Sequence, residues 1–306
     1  MRASGPRSLR HAVLWTAFAS LALLAGCGNP APSRPGPEAV VRRFDVSWAD
    51  DPANRVARVR PALRSLEPFD LLLVGERHDA PEHQALEATI VQVLAQEQRL
   101  AALALEMAER GRSTAGLPRD ADDDALRLAL AWNDAGWPWP LYAPAIRAAV
   151  RAGVPVVGAN LPDASIGITS KNRAFDEHLT PANRQKQIQK IREGHCDLLP
   201  ERAWLPMLRV QTARDAAMAQ TLRAAAAPGR VVVLLAGSAH VDRRLGVPGH
   251  LDGAERVRSI ALYAPSEPGD APPELDVDAV WITPPRAEAD PCAALRERWG
   301  QQGHQS

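Results

Sequence analysis

LLLVGERHDAPEH, residues 71–83, carries an apolar run up to a glycine and then sets Glu76, Arg77, His78 and Asp79 in a row. A short apolar run closed by glycine reads as a strand buried on both faces, as in a parallel sheet. The stretch that follows, residues 80–98, puts Leu86, Ile90, Val93 and Leu94 on one helical stripe, with Pro81 suited to the first turn. Asp79 then reads as the N-cap of that helix. A buried strand passing directly into a helix is the opening half of a βαβ unit.

The same alternation continues along the chain. LAALALEM (100–107) reads as the next strand, residues 120–130 as a helix with acids in its first turn, and 142–153 as a helix ended by Gly153. VPVVGAN (154–160) is a strand, RVVVLLAGSAH (230–240) contains the clearest strand of all, and RSIALYA (258–264) and DAVWIT (278–283) supply later ones. The expected fold is α/β, a mostly parallel β-sheet with flanking helices. Residues from about 164 to 226 are polar and helical in pattern, which reads as a smaller helical insertion or cap returning through a long helix, 201–226.

Several predicted strands end in ionisable or amide side chains. Glu76 and His78 follow the first, Glu106 ends the second, His240 follows the strand 230–237, and Asn160 ends a fourth. Ligands bind an open parallel sheet in the crevice beyond the carboxyl ends of its strands. Any one of these residues alone more often caps a helix or holds a loop; together, on separate strand ends, they point to one shared crevice. Gly75 in GERH and Gly237 in GSAH each stand three residues before a histidine, where glycine permits a sharp exit and close backbone approach. Gln211 and Asp215, spaced i, i+4 with Met207 and Met218 on the same stripe, face either a polar site or solvent. WNDAGWPWPLY (132–142) packs three tryptophans and Tyr142 into eleven residues. Such a cluster serves as core, as the wall of a ligand slot, or as a subunit interface. Tyr263, within a predicted strand, is expected to be buried. Arg77 is either a surface neighbour of Asp79 or an anion clamp.

The N-terminus implies export. Arg2, Arg7 and Arg10 precede the apolar AVLWTAFASLALL, and the run ends in Leu24-Ala25-Gly26-Cys27. This is similar to a bacterial lipobox, with residues 1–26 as signal peptide and Cys27 as the lipidated mature N-terminus; the alternative is an ordinary signal peptide with a chance cysteine. Gly28 after the cysteine resembles outer-membrane sorting, so the expected location is the cell envelope, on the outer membrane facing the periplasm. Residues 27–43, rich in proline, form an extended tether, 44–284 the folded domain, and 285–306 a polar tail. Without residues 1–26 the chain holds 33 basic and 36 acidic residues, and no dense Lys/Arg run remains to make nucleic acid a partner. An exported compartment permits Cys196 and Cys292 to pair, but spacing does not decide whether they meet.

GERHDAPEHQ, LALEM, W…LYAPAIRAA, VPVVGANLP, GHCDLLP, MLRVQTARDAAMA and AGSAHVDRRLGVPGHL, in that order across residues 45–265, resemble the ChaN-like haem-binding lipoproteins. These sit in a wider group with erythromycin esterases and the Tiki/TraB proteins. The resemblance implies an α/β domain with a helical part, haem enclosed between the subunits of a homodimer, and a link to iron acquisition. It maps the group's strand-end motifs onto Glu76, His78, Glu106 and His240, and a recurring tyrosine onto Tyr142.

Two chemistries follow. As a haem carrier, the protein would offer a tyrosinate to ferric iron. Tyr142 is the first candidate and Tyr263 the second, with Trp137 and Trp139 as walls and His240, Arg243 and Arg244 for the propionates. As a hydrolase, it would use Glu76, His78, Glu106 and His240 to hold a divalent metal or to act as acid and base on water. Neither G-x-S-x-G nor H-E-x-x-H occurs. A third reading is an envelope scaffold that uses the tryptophan segment as a partner surface.

Overall fold

The computed structural model describes residues 40–43, 51–253 and 255–286, together with Cys292, Ala293 and Arg296. The residues read as signal peptide, Cys27, the stretch read as tether up to residue 39, residues 44–50 and most of the tail lie outside the described residues.

Among the described residues, seven strands form one parallel sheet. They are β1 (Val40–Arg43), β2 (Leu71–Glu76), β3 (Leu100–Glu109), β4 (Val156–Asn160), β5 (Val231–Gly237), β6 (Val257–Tyr263) and β7 (Ala279–Ile282), in the spatial order β1-β7-β6-β2-β5-β3-β4. The fold is α/β, as the alternation of elements implied. The connections from β2 to β3 and from β3 to β4 step toward the β4 edge, and the later ones step back. Right-handed crossovers therefore place the helices of the two directions on opposite faces.

The packing agrees. Helices α1 (Pro52–Arg64), α2 (Pro81–Gln96) and α4 (Trp139–Arg151) share a core with Leu72, Val74, Leu103 and Leu235. On the other face Met218, Ala219 and Leu222 of α7 (Trp204–Ala225) pack on Leu71, Leu73, Ala102 and Leu234. Alternate residues of β2 serve the two faces, so every one of them is buried.

Helix α3 (Asp123–Leu130) is capped by Asp122, whose side chain accepts the Ala125 N–H. Asp79 does not cap α2. Its carboxylate takes the Arg77 guanidinium at 2.6 and 3.1 Å, and Ala80 holds the cap position without a side-chain bond. Helix α4 starts at Trp139, three residues before the expected start, because Pro138 and Pro140 suit the cap and first turn.

The helical part comprises α5 (Ile166–Thr169), α6 (Pro181–Gly194) and the start of α7. It has its own small core of Leu179, Ile191 and Leu208. Arg209 ties it together by gripping Asp176 with two bonds, 2.7 and 2.8 Å. Farther along, α7 leaves this part and joins the sheet core. Cys196, just past α6, is disulfide-bonded to Cys292.

Candidate functional site

β5 sits between β2 and β3, and its onward connection crosses toward β6 whereas theirs cross toward β4. Their exits diverge, and a crevice opens at their carboxyl ends. Two glycines let the exits approach. A Cβ on Gly75 would lie 2.5 Å from Val241 Cγ2 and 2.8 Å from Ser238 Cα, so the turn after β5 packs directly on β2. A Cβ on Gly237 would lie 3.0 Å from His78 Nε2, inside the site.

Glu76, His78, Glu106 and His240 do meet, as the strand-end reading required. Glu76 ends β2 fully buried. One carboxylate oxygen accepts from His78 Nδ1 at 2.6 Å and from the Tyr142 hydroxyl at 2.8 Å; the other accepts from the Gln84 amide. Glu106 accepts the Gly237 N–H at 2.7 Å and lies 3.3 Å from His240 Nε2 and 4.0 Å from His78 Nε2. His240, in the turn Ser238–Val241, has its Nδ1 2.5 Å from the buried Asp215 carboxylate of α7. The Gln211 amide lies over the His240 ring, 3.0 and 3.3 Å from its two nitrogens. Gln211 and Asp215 therefore look inward, the functional of the two alternatives open from sequence.

The electrostatics follow from these distances. Burial alone would drive a proton off His240, but Glu106 and Asp215 on either side outweigh it and raise its pKa to about 10. Burial likewise opposes the charge on Glu106, yet His240 and His78 hold it well below the usual carboxylate range. Asp215 shares that imidazolium with Glu106, so burial wins there and its pKa rises to about 6. His78 is also raised: burial acts against its charge, and the bond to Glu76 with the charge of Glu106 more than offsets it.

α2 contributes three residues that the sequence reading passed over. Glu87 is buried beside Glu76; burial and that neighbouring charge push its pKa well up. Neither Glu87 oxygen meets a donor, which suits a neutral acid whose own hydrogen bonds to Glu76. Gln84 fixes Glu76 from the same helical face, one turn earlier. His83 accepts the Arg77 N–H on Nδ1 at 2.9 Å, leaving Nε2–H directed at the Thr283 hydroxyl, 3.3 Å away. Burial, then Arg77, lowers its pKa to about 3, so it stays neutral. The signal was present: three polar residues, 83, 84 and 87, break the apolar face of residues 80–98 in its first two turns.

A cavity of about 720 Å³ opens on this cluster, within the size range of small-molecule sites. His78, His83 and His240 line one side, and Ala261, Leu262, Tyr263, Pro272, Pro273 and Leu275 another. Tyr263 is half-buried on this wall rather than lost in the core.

Other predicted site residues lie elsewhere. Tyr142 is buried beneath the cluster with its hydroxyl spent on Glu76, and burial with the nearby carboxylates pushes its pKa far up. That corrects the reading of Tyr142 as an anionic iron ligand. Trp139 is a core residue whose indole N–H donates to Asp123 at 2.7 Å, so it walls no ligand slot. Trp137 meets His78 edge-on at 4.7 Å. Arg243 pairs with Asp276 at 3.0 Å and with Asp278, and Arg244 with Asp276 at 3.3 Å, away from the cavity wall. Asn160 uses its side chain on the Leu161 N–H. Among the described residues no group of three or more His, Cys, Asp or Glu side chains is arranged to hold a metal ion.

No match to a curated protein sequence was found. Among solved structures, ChaN of Campylobacter jejuni, described with cofacial haem, aligns at 22% identity with a TM-score of 0.57, over 72% of this chain and 90% of that one. Weaker likenesses are the type III effector HopBA1 (17% identity, TM-score 0.40, 71% of this chain, 88% of that one) and a Bacillus cereus protein (14%, 0.38, 70% and 71%). The family model for haem-binding uptake, Tiki superfamily, ChaN, matches residues 62–251. That match spans more than half of the chain and includes all four strand-end residues; the protein belongs to the ChaN family of the Tiki superfamily.

Proposed function

We propose that the protein binds haem in the 720 Å³ cavity and that Tyr263 provides the oxygen ligand to ferric iron. The carrying observation is the placement of Tyr263 on the cavity wall among Ala261, Leu262, Leu275 and two prolines. A cavity with one apolar wall and a phenol on that wall suits a flat apolar macrocycle bearing a hard metal. Arg77, also on the wall, is the arginine that would meet a propionate. Bound haem would supply ferric iron as cargo; the chain's part is to hold the macrocycle and release it.

The test is a haemin titration of the chain from Gly28 onward. A shifted Soret band is expected for the parent and a changed band for Tyr263→Phe. No shift in the parent would reject haem binding, and an unaltered spectrum in the variant would reject Tyr263 as ligand.

The same reading extends to a homodimer closed over haem, a lipid anchor at Cys27, an outer-membrane location and a role in iron acquisition. Sedimentation with and without haemin tests the first, and mass spectrometry of the mature N-terminus the second.

One observation favours a second reading, acid–base hydrolysis. His78 is 38% exposed at its side chain and stands between Glu76 and Glu106 at the cavity, the placement of a group that passes protons to a bound substrate. Cleavage of an ester substrate by the parent, abolished in Glu76→Gln, would support it; an inactive parent would end it.

A further inference from the structure

The helical part meets the loop after β5 through two histidines. His178 stands two residues before Thr180, whose hydroxyl accepts the Asn183 N–H and caps α6. His250 ends the turn Val247–His250. Their rings stack, 3.7 Å between centroids and 8° between planes. In the first turn of α6 the Asn183 amide adds a bond to the Arg244 carbonyl at 3.1 Å. His250 Nε2 is buried and meets no hydrogen-bond partner. The charged groups about the pair are Arg223 of α7, Glu177 beside His178, and Arg243 and Arg244 of the loop. Arg223 donates to the His250 carbonyl at 2.9 Å and to Asp252 at 3.2 Å, and Asp276 holds Arg243 and Arg244. Burial lowers the pKa of both histidines. His178 and Arg223 add to its effect on His250, whose pKa falls to about 4, and no carboxylate offsets the shift at either ring.

Two neutral imidazoles stack readily. Protons on both would set like charges 3.7 Å apart, with no carboxylate to share them. We infer that the His178–His250 stack is an acid-labile latch: protonation parts the rings and undocks the helical part from the loop that ends at His250. Plain packing is served by aliphatic side chains, as in the neighbouring core of Leu179, Ile191 and Leu208. A ring pair with a buried, unpartnered nitrogen adds a titration that packing does not need. The loop has no slack to absorb the change. A Cβ on Gly246 would run into the His240 carbonyl oxygen, and the Gly246 N–H donates to the Asp242 carbonyl at 2.8 Å. Gly194, at the end of α6, lines the 720 Å³ cavity, so undocking α6 opens that wall. Because the folded pKa is lowered, the latch holds fully above the unfolded value of 6.5 and is lost as pH falls toward 4. The latch is independent of which ligand the cavity takes.

The compact unit begins at Gly36, so a chain starting at Gly28 keeps it whole. Its amide hydrogen exchange is to be compared at pH 7 and pH 5 without ligand, after correction for the intrinsic effect of pH. The α6 amides should exchange on the order of tenfold faster at pH 5, with α2 changing little. His178→Phe/His250→Phe keeps two rings that cannot charge and should abolish the acceleration. No acceleration in the parent would overturn the inference, as would full acceleration in the double variant. Equal acceleration in α2 would mean global loosening and would overturn it too. If the double variant fails to fold, the parent alone decides. In an NMR titration His178 and His250 must charge over the pH interval in which α6 loses protection, and charging without that loss sinks the latch. The cavity is empty throughout, so failure here leaves the haem reading to its own titration.

Discussion

His240 and Asp215 form a buried ion pair, with Nδ1 of the imidazole 2.5 Å from the carboxylate. Because Glu106 holds the opposite nitrogen at 3.3 Å, His240 keeps its proton to about pH 10. The unfolded chain releases it near 6.5. The stabilisation from this group is therefore complete below pH 6.5 and is lost as pH rises toward 10. Nitrogen NMR should show both His240 nitrogens protonated at pH 8. His240→Leu leaves Glu106 and Asp215 without their cation and should cost about 3–5 kcal/mol in urea unfolding at neutral pH.

Glu87 gives the reverse sign. Its folded pKa is raised, so the folded state holds a proton that the unfolded chain releases near pH 4.3. Stability then declines as pH climbs above that value, until the folded group itself ionises. Glu87→Gln cannot ionise, so it should gain on the parent between pH 4.5 and pH 8 in matched denaturant titrations. A variant that loses ground over that range would mean Glu87 is carried as an anion.

The two glycines separate structure from site. Gly75→Ala drives a methyl against the Ser238 backbone at 2.8 Å, and backbone cannot yield cheaply; about 1–3 kcal/mol of destabilisation is expected. Gly237→Ala meets the His78 ring at 3.0 Å, a side chain that is 38% exposed and gives way more cheaply than backbone. Melting temperature should fall clearly for the first and little for the second, while haemin affinity should fall for the second.

Tyr142→Phe removes one donor from a buried carboxylate. Stability should drop by about 1–3 kcal/mol, and the Soret band of the haemin complex should not move. A moved band would return Tyr142 to the ligand set.

The sheet was legible because parallel strands buried on both faces leave unbroken apolar runs, as in LLLVG and VVVLLAG. The convergence of Glu76, Glu106 and His240 was legible through a rule about strand ends. What escaped depended on partners distant in sequence. β1 is a four-residue edge strand with two arginines, and nothing local marks VVRR as a strand. Tyr142 resembles a ligand until Glu76, 66 residues earlier, takes its hydroxyl. Glu87 and Gln84 were hidden by a helix that looks merely amphipathic, since periodicity does not show which polar residue lies under the sheet end. Asp79 had the right residue type for a cap, but Arg77 two residues before it competed more strongly.

The bond between Cys196 and Cys292 closes a loop of 96 residues that takes in the end of the helical part, α7 and the last three strands. A polypeptide kept in the reducing cytosol would lack this cross-link and should reach a looser, more protease-sensitive form. Closure of the domain is thereby made to wait on an oxidising environment, and recombinant material should be matured in an oxidising host before any ligand is measured.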